Sequence, residues 1–267
     1  MTDHKRILLV GCGKMGSALL NGWLSRGTPA AHVSVVEPML PQLPDGVTGC
    51  VEAAALGSDY RPSVIVFAVK PQSMDAVLPG YVQYAGPETV FLSIAAGKPI
   101  GYFEATLTDG AIVRAMPNTP AAVGRGITVL CANDRVSSQQ KAVCTGLMES
   151  VGEVAWIDDE ALMDAVTGLS GSGPAYVFHL VEAMAAAGEA AGLSKDLAMQ
   201  LARATVAGSG ELLTQSGDPA GTLRENVTSP GGTTAAALEI LMGPGGLTQL
   251  MTTAIARATD RSRELAQ

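Results

Sequence analysis

The chain has 267 residues, 47% of them apolar and 16% charged, which suits one large or two ordinary packed domains and excludes a disordered chain. Its net charge of −8 leaves no basic stripe for phosphates and argues against a nucleic-acid partner. No run of about 18 uninterrupted apolar residues exists, so neither a transmembrane span nor a membrane partner is expected.

The first ten residues lead straight into a strand-like segment without a small-residue cleavage site, which does not read as a signal peptide. The four cysteines, Cys12, Cys50, Cys131 and Cys144, show no paired spacing and no metal-ligand spacing with histidine. They read as small buried thiols in a cytoplasmic protein, and no metal is expected.

Residues 6–10, RILLV, form a short apolar run of the kind found in parallel strands buried on both faces. Gly11-Cys12-Gly13-Lys14-Met15-Gly16 follows, and then a helical pattern closed by Gly27. A GxGxxG between strand and helix points to a dinucleotide. Gly11 makes the tight turn, Gly13 admits a pyrophosphate, and Gly16 lets the helix pack on the strand. His32–Val36 is a second strand, closed by Glu37, where an acidic residue bonds ribose hydroxyls and repels a 2′-phosphate.

Further strands are expected at Val64–Val69, Thr89–Ile94, Ala111–Ala115, Gly126–Cys131 and Gly152–Ile157, with helices at Asp75–Val82 and Ser137–Ser150. Strands and helices alternating at this spacing predict an α/β, doubly wound, mostly parallel sheet. Ligands of such sheets bind outside the carboxyl ends of the strands. Four of those ends carry unusual sequence: GCGKMG, AVKP, SIAAG and MPNTP. Lys70 and Asn118 lie there, Lys70 able to pair with a phosphate or ribose, Asn118 able to face a ligand or to bond its own turn.

From Asp158 onward the strand pattern stops. Helices are expected at Asp159–Gly168, at Ala175–Ala191 after Pro174, at Lys195–Thr214 capped by Ser194, after a cap at Asp218, and at Thr233–Leu241 and Leu247–Ala266. The chain therefore divides into residues 1–158 and an all-helical 159–267. Helices such as Ala183–Ala187 are apolar all round and must be buried, which predicts a homodimer built through this second part. His179 reads as a packed or partner-bonded histidine.

Asn226–Leu241, NVTSPGGTTAAALEIL, joins a contact loop to an apolar helix. Pro230 stops any preceding helix, Gly231 and Gly232 open the backbone, and Thr233 and Thr234 stand where an N-cap belongs. Hydroxyls and free N–H groups at a helix start make a carboxylate site. None of the histidines, His4, His32 or His179, lies near a strand end, and the second half has one lysine, Lys195. A chemistry that needs little proton machinery, such as reduction of a C=N bond, fits this inventory.

These residues resemble the pyrroline-5-carboxylate reductase family. The resemblance covers essentially the whole chain and rests on GCGKMG, AVKPQ (68–72), SIAAG (93–97), RAMPNTPAAVGRG (114–126), GLSGSGPAY (168–176) and, most specifically, LRENVTSPGGTTAAALEIL (223–241). It implies a Rossmann-like domain, an all-α dimerisation domain and NAD(P)H-dependent reduction of L-1-pyrroline-5-carboxylate to L-proline. It also implies dimers that often assemble into a decamer. Gly11, Gly13, Gly16, Lys70, Pro71, Ala95 and Asn118 carry over as cofactor contacts. Lys14 and Met15 of the glycine turn, together with Glu37 and Val69, complete the expected dinucleotide site. Ser229, Gly232 and Thr233, with Gly231 between them, match the loop that holds the substrate carboxylate. Thr234 matches the catalytic threonine whose hydroxyl meets the ring nitrogen. The cofactor is NADPH or NADH, and Glu37-Pro38 leaves that preference open. A β-hydroxyacid dehydrogenase relative, which would need a catalytic lysine, and a dinucleotide-binding sensor without turnover are the alternatives.

Overall fold

The computed structural model describes residues 6–265; His4 lies outside them. The strands are β1 (Ile7–Val10), β2 (Val33–Val36), β3 (Thr48–Cys50), β4 (Val64–Phe67), β5 (Val90–Ser93), β6 (Ala111–Met116), β7 (Gly126–Ala132) and β8 (Gly152–Trp156). They form one sheet in the order β3-β2-β1-β4-β5-β6-β7-β8. Every neighbouring pair is parallel except β6 and β7.

β1, β2, β4 and β5 are buried at every position. Alternate residues of a strand face opposite sides. Ile7 and Leu9 accordingly pack into one core layer, and Leu8 and Val10 into the other. A sheet covered on both faces needs continuous apolar strands, and ILLV, VIVF and the VFL of β5 supply them. Helices α1 (Lys14–Ser25) and, further along the chain, residues 138–149 cover the first face through Leu19, Leu20, Trp23, Leu147 and Met148. The Trp23 indole N–H donates to the Leu147 carbonyl at 3.0 Å, so the largest side chain of that layer is also polar-satisfied. Burying each such aliphatic side chain contributes about 1.5–3 kcal/mol. On the other face pack α2 (Met74–Val77), the 3-10 turns around it, and α3 (Ile100–Glu104), through Met74, Leu78, Tyr81 and Phe103.

Three elements of the sheet part differ from the sequence expectation, one being the five-residue helix α3, which no expected element covers. β3 was not foreseen: it is a three-residue edge strand containing Gly49, exposed or half-buried throughout, with no apolar alternation to reveal it. The helix expected over 75–82 is one α-turn between two 3-10 segments, because Pro79 and Gly80 break the α-helical run.

After α4 (Ser138–Glu149), opened by a Ser137–Gln140 capping box, and β8, the chain is helical from Glu160. Residues 160–162 form a 3-10 turn, α5 spans Met163–Val166, and Thr167–Gly171 is a π-helical turn. Then come α6 (Gly173–Ala190), α7 (Lys195–Ser216), α8 (Ala220–Asn226), α9 (Thr233–Leu241) and α10 (Leu247–Leu265). Asp218 does not cap α8: Pro219 holds the N-cap position, with no side-chain bond.

Packing divides the chain into two compact units. The first comprises residues up to Gly171 with those from Thr259 onward, and the second is Ser172–Ala258. Strands end at Trp156, yet residues 160–171 pack with the sheet. The reason is two tethers, Arg114 to Glu160 and Asn118 to Ser170. The second unit leaves large apolar side chains in water, among them Phe178 (64% exposed), Ile240 (77%) and Leu250 (62%). Only Ala185 of α6 is buried, and nothing of α9. His179 is likewise exposed, its Nδ1 3.1 Å from Glu182 Oε2.

Candidate functional site

The sheet reverses its winding between β1 and β4, the switch point where doubly wound sheets bind ligands. Gly11 ends β1 with φ +93°, a conformation open chiefly to glycine. A Cβ on Gly11 would lie 2.8 Å from the Ala68 carbonyl group and from Val69 Cγ1, so the ends of β1 and β4 approach too closely for any side chain there. A Cβ on Gly16 would overlap the Gly11 carbonyl oxygen. Gly13 is the reverse case: it is exposed, and nothing lies within 4 Å of a Cβ built on it. It is the N-cap of α1, without a side-chain cap and with no acid in the first turn. The first-turn N–H groups of α1 thus face open space beside exposed Lys14 and half-buried Met15. This fits the pyrophosphate of a dinucleotide.

Glu37, at the end of β2, reaches back to this turn. Its Oε2 accepts from the Cys12 N–H at 2.8 Å and its Oε1 from Met39 N–H at 3.3 Å. Burial first, and the Glu37 carboxylate second, push the Cys12 thiol above its ordinary pKa, so it stays protonated at neutral pH. The residues after Glu37 turn at Pro38–Met39 and run on as an irregular segment, Pro41–Pro44. With Cys12, Ser17 and Asn21 this segment bounds a cavity of about 410 Å³. The sequence reading missed this cavity; the signal for it was the LPQLP run, which cannot continue as a helix.

The ends of β4, β5 and β6 lie along the same edge. Val69 is half-buried, Lys70 is exposed as the N-cap of the 3-10 turn that opens at Pro71, and Ala95 is buried with its N–H donating to Ser93 Oγ at 3.2 Å. Each end of the half-buried Asn118 amide makes one bond: Oδ1 accepts from Ile127 N–H at 2.9 Å, and Nδ2 donates to the Ser170 carbonyl at 3.3 Å. The loops after β4 and β5 are tied by a trio that sequence reasoning also missed. The Tyr102 hydroxyl donates to Asp75 Oδ1 at 2.5 Å, and Lys98 Nζ lies 3.5 Å from the same oxygen and 4.1 Å from the Tyr102 ring centre. Burial first, then the bond to the Asp75 carboxylate, pushes Tyr102 up to about 12. Asp75 is lowered, first by the Tyr102 hydroxyl and then by Lys98.

In the second unit, Gly231 takes φ +69° and turns the chain at the head of α9. The N-cap is Gly232, in extended conformation, so Thr233 and Thr234 are the first helical residues and not the cap. No side chain caps Gly232. The N–H groups of the first turn have no intrahelical acceptor by construction. The Gly232 N–H itself donates to the Ser229 carbonyl at 3.0 Å, which closes the turn. Ser229, Gly231 and Thr233 are exposed, and Gly232 and Thr234 half-buried. An uncapped helix start with two hydroxyls beside it suits a carboxylate.

Residues 160–265 match the family model for pyrroline-5-carboxylate reductase dimerisation, and residues 6–97 match that for coenzyme F420-dependent NADP oxidoreductases. Pyrroline-5-carboxylate reductase from Pseudomonas aeruginosa is 40% identical over 271 residues, covering 98% of this chain and 97% of that one. The Mycobacterium leprae enzyme is 39% identical over 298 residues, covering 99% and 98%. Among solved structures, the Coxiella burnetii reductase superposes with a TM-score of 0.90 at 32% identity, covering 99% of this chain and 100% of that one. The Plasmodium falciparum reductase, solved with NADP bound, gives 0.81 at 30%, covering 98% of each chain. With identities of this size across nearly the full length of both partners, the chain belongs to the pyrroline-5-carboxylate reductase family.

Proposed function

We infer that this chain catalyses the NAD(P)H-dependent reduction of the C=N bond of L-1-pyrroline-5-carboxylate, giving L-proline, the last step of proline biosynthesis. The observation that carries this reading is the pair of uncapped, glycine-opened helix starts, one on each unit, in a chain of this family. The first suits a dinucleotide pyrophosphate and the second a small carboxylate.

The bound nicotinamide supplies the hydride. In this reading, Gly11, Gly13, Lys14, Met15 and Gly16 receive the pyrophosphate, and Val69, Lys70, Pro71 and Ala95 line its path along the strand ends. Ser229, Gly231, Gly232 and Thr233 hold the substrate carboxylate. The Thr234 hydroxyl donates to the ring nitrogen and polarises the C=N bond. As the imine carbon gains hydride, the π pair moves onto nitrogen, and a proton from solvent completes the amine. No buried general acid is required, in keeping with the absence of a histidine at the strand ends among the described residues.

Glu37 favours NADH. Its carboxylate is held by two backbone N–H groups where the adenosine ribose is read. A 2′-phosphate about 4 Å away would meet repulsion of about 1 kcal/mol per charge pair in water, and about 4 at an effective dielectric of 20. The exposed apolar faces of α6, α9 and α10 support a homodimer through the second unit, and a decamer of five dimers would be its higher assembly. The β-hydroxyacid dehydrogenase alternative loses its one lysine: Lys195 is an exposed first residue of α7, behind a Ser194 cap.

Absorbance at about 340 nm tests the activity. It should fall when the protein is mixed with racemic pyrroline-5-carboxylate and either reduced nicotinamide cofactor. No change with both cofactors would overturn the reductase reading.

A further inference from the structure

Three alternate residues at the end of β6 each grip the same helical segment. Arg114, itself buried, places Nη1 2.8 Å from Glu160 Oε1, which also accepts from the Ile100 N–H at 2.8 Å. Met116 lies under Gly171, where an added Cβ would come within 2.5 Å of Met116 Cε. Asn118 donates from Nδ2 to the Ser170 carbonyl, while its Oδ1 is held by the Ile127 N–H of β7. Residues 160–171 are thus strapped to one strand end at both of their own ends. A fourth tether runs from the Ser262 hydroxyl to Asp164 Oδ1, at 2.6 Å.

The gripped segment ends in the π-helical turn Thr167–Gly171. A π-turn shifts the backbone register and leaves carbonyls that need donors from elsewhere, and such turns recur at functional sites. Two are satisfied from within: the Thr167 hydroxyl donates to Met163 O at 2.8 Å, and the Ser170 hydroxyl to Val166 O at 3.1 Å. The Ser170 carbonyl takes its donor from Asn118. β4, β5 and β6 form the half of the sheet beyond the switch point, over which the nicotinamide half of a dinucleotide lies.

We propose that Asn118 is a positioning residue for the reduction: through the Ser170 carbonyl it fixes the Thr167–Gly171 turn as a rigid wall at the nicotinamide end of the crevice, without touching the cofactor. This rests on the reductase reading above. It differs from the expectation that Asn118 contacts the dinucleotide: the bonds its amide makes, one from Nδ2 and one to Oδ1, run to Ser170 and Ile127. Asn118 is a link between β7 and the turn, so its removal loosens a wall and leaves the cofactor's own contacts in place.

The test compares Asn118→Ala and Asn118→Asp with the unaltered chain. In both variants, hydrogen exchange of the 167–171 amides in the cofactor-free protein should quicken by about tenfold or more, and kcat should fall by a similar factor. The NADH Kd, titrated by cofactor fluorescence, should change less than about threefold. Asn118→Asp keeps the acceptor for Ile127, and its carboxyl can donate to Ser170 O only when protonated. A free aspartate ionises at about pH 4, so at neutral pH this variant keeps the Ile127 bond and loses only the bond to Ser170; a fall in kcat equal to that of Asn118→Ala assigns the effect to the Ser170 bond. Should Asn118→Ala fold poorly, Asn118→Asp, which keeps the Ile127 acceptor, carries the comparison alone. Unchanged exchange, or a Kd that rises in step with the loss of kcat, would overturn the proposal. An unaltered chain without turnover overturns the reductase reading itself; quickened exchange would then still establish the clamp, and equal exchange would sink both.

Discussion

The backbone N–H of Cys12 donates to the Glu37 carboxylate at 2.8 Å, which ties the end of β2 to the glycine turn after β1. A formal negative charge thus stands beside the residue between Gly11 and Gly13. Glu37→Ser removes the charge and keeps a small polar side chain. The ratio of kcat/KM for NADPH over NADH should rise by about tenfold or more, equal to about 1.4 kcal/mol. Steady-state kinetics with both cofactors measure it, and an unchanged ratio would show that Glu37 does not guard the ribose.

Thr234 is the second residue of α9, half-buried beside exposed Thr233. If its hydroxyl meets the ring nitrogen, Thr234→Ala should lower kcat by about tenfold or more with a smaller change in KM, because the bond tightens as charge develops. Thr233→Ala should act mainly on the KM for the imino acid. A wild-type kcat in Thr234→Ala removes the role assigned to that hydroxyl.

Tyr102 is raised to about 12 by burial and by the Asp75 carboxylate it bonds. A raised folded pKa means that the contribution of the protonated phenol is complete below about pH 10, the unfolded value, and is lost as pH rises towards 12. Asp75 is lowered, so its share is present above the ordinary carboxylate range and fades only in stronger acid. The Tm difference between wild type and Tyr102→Phe should therefore be flat at neutral pH and shrink between about pH 10 and 12. Tyrosinate absorbance should lose one late step in the variant. A Tyr102 that ionises near 10 would contradict the Asp75 bond.

The second unit exposes Phe178, Ile240, Met242 and Leu250, well beyond scattered surface hydrophobes. A stable homodimer buries about 1,200–2,000 Å² or more. Sedimentation should give at least twice the monomer mass, and Phe178→Asp should shift the chain towards monomer. A monomeric wild type at micromolar concentration would rule out the dimer.

Local signals carried much of this. These strands were legible because ILLV, VIVF and the VFL of β5 are apolar without alternation, and only a sheet covered on both faces accepts that. The glycine turn was legible because Gly11 and Gly16 answer two different steric demands at fixed spacing, and the structure has both. The loop Asn226–Leu241 was legible down to the left-handed Gly231, although the cap moved to Gly232 because an extended glycine precedes Thr233.

What tertiary structure alone decided were the partners far along the chain. Nothing in MPNTP says that Asn118 spends its amide on Ile127 and on Ser170, 52 residues away, and nothing in TGLSG says that it winds as a π-turn. The edge strand β3, the antiparallel pairing of β6 with β7 and the Glu37 bond to Cys12 are of the same kind. Hydrophobic period and glycine sterics act over a few residues and are written locally. A hydrogen-bond partner is set by which strand ends the finished sheet brings together, and that is known only once the sheet has formed.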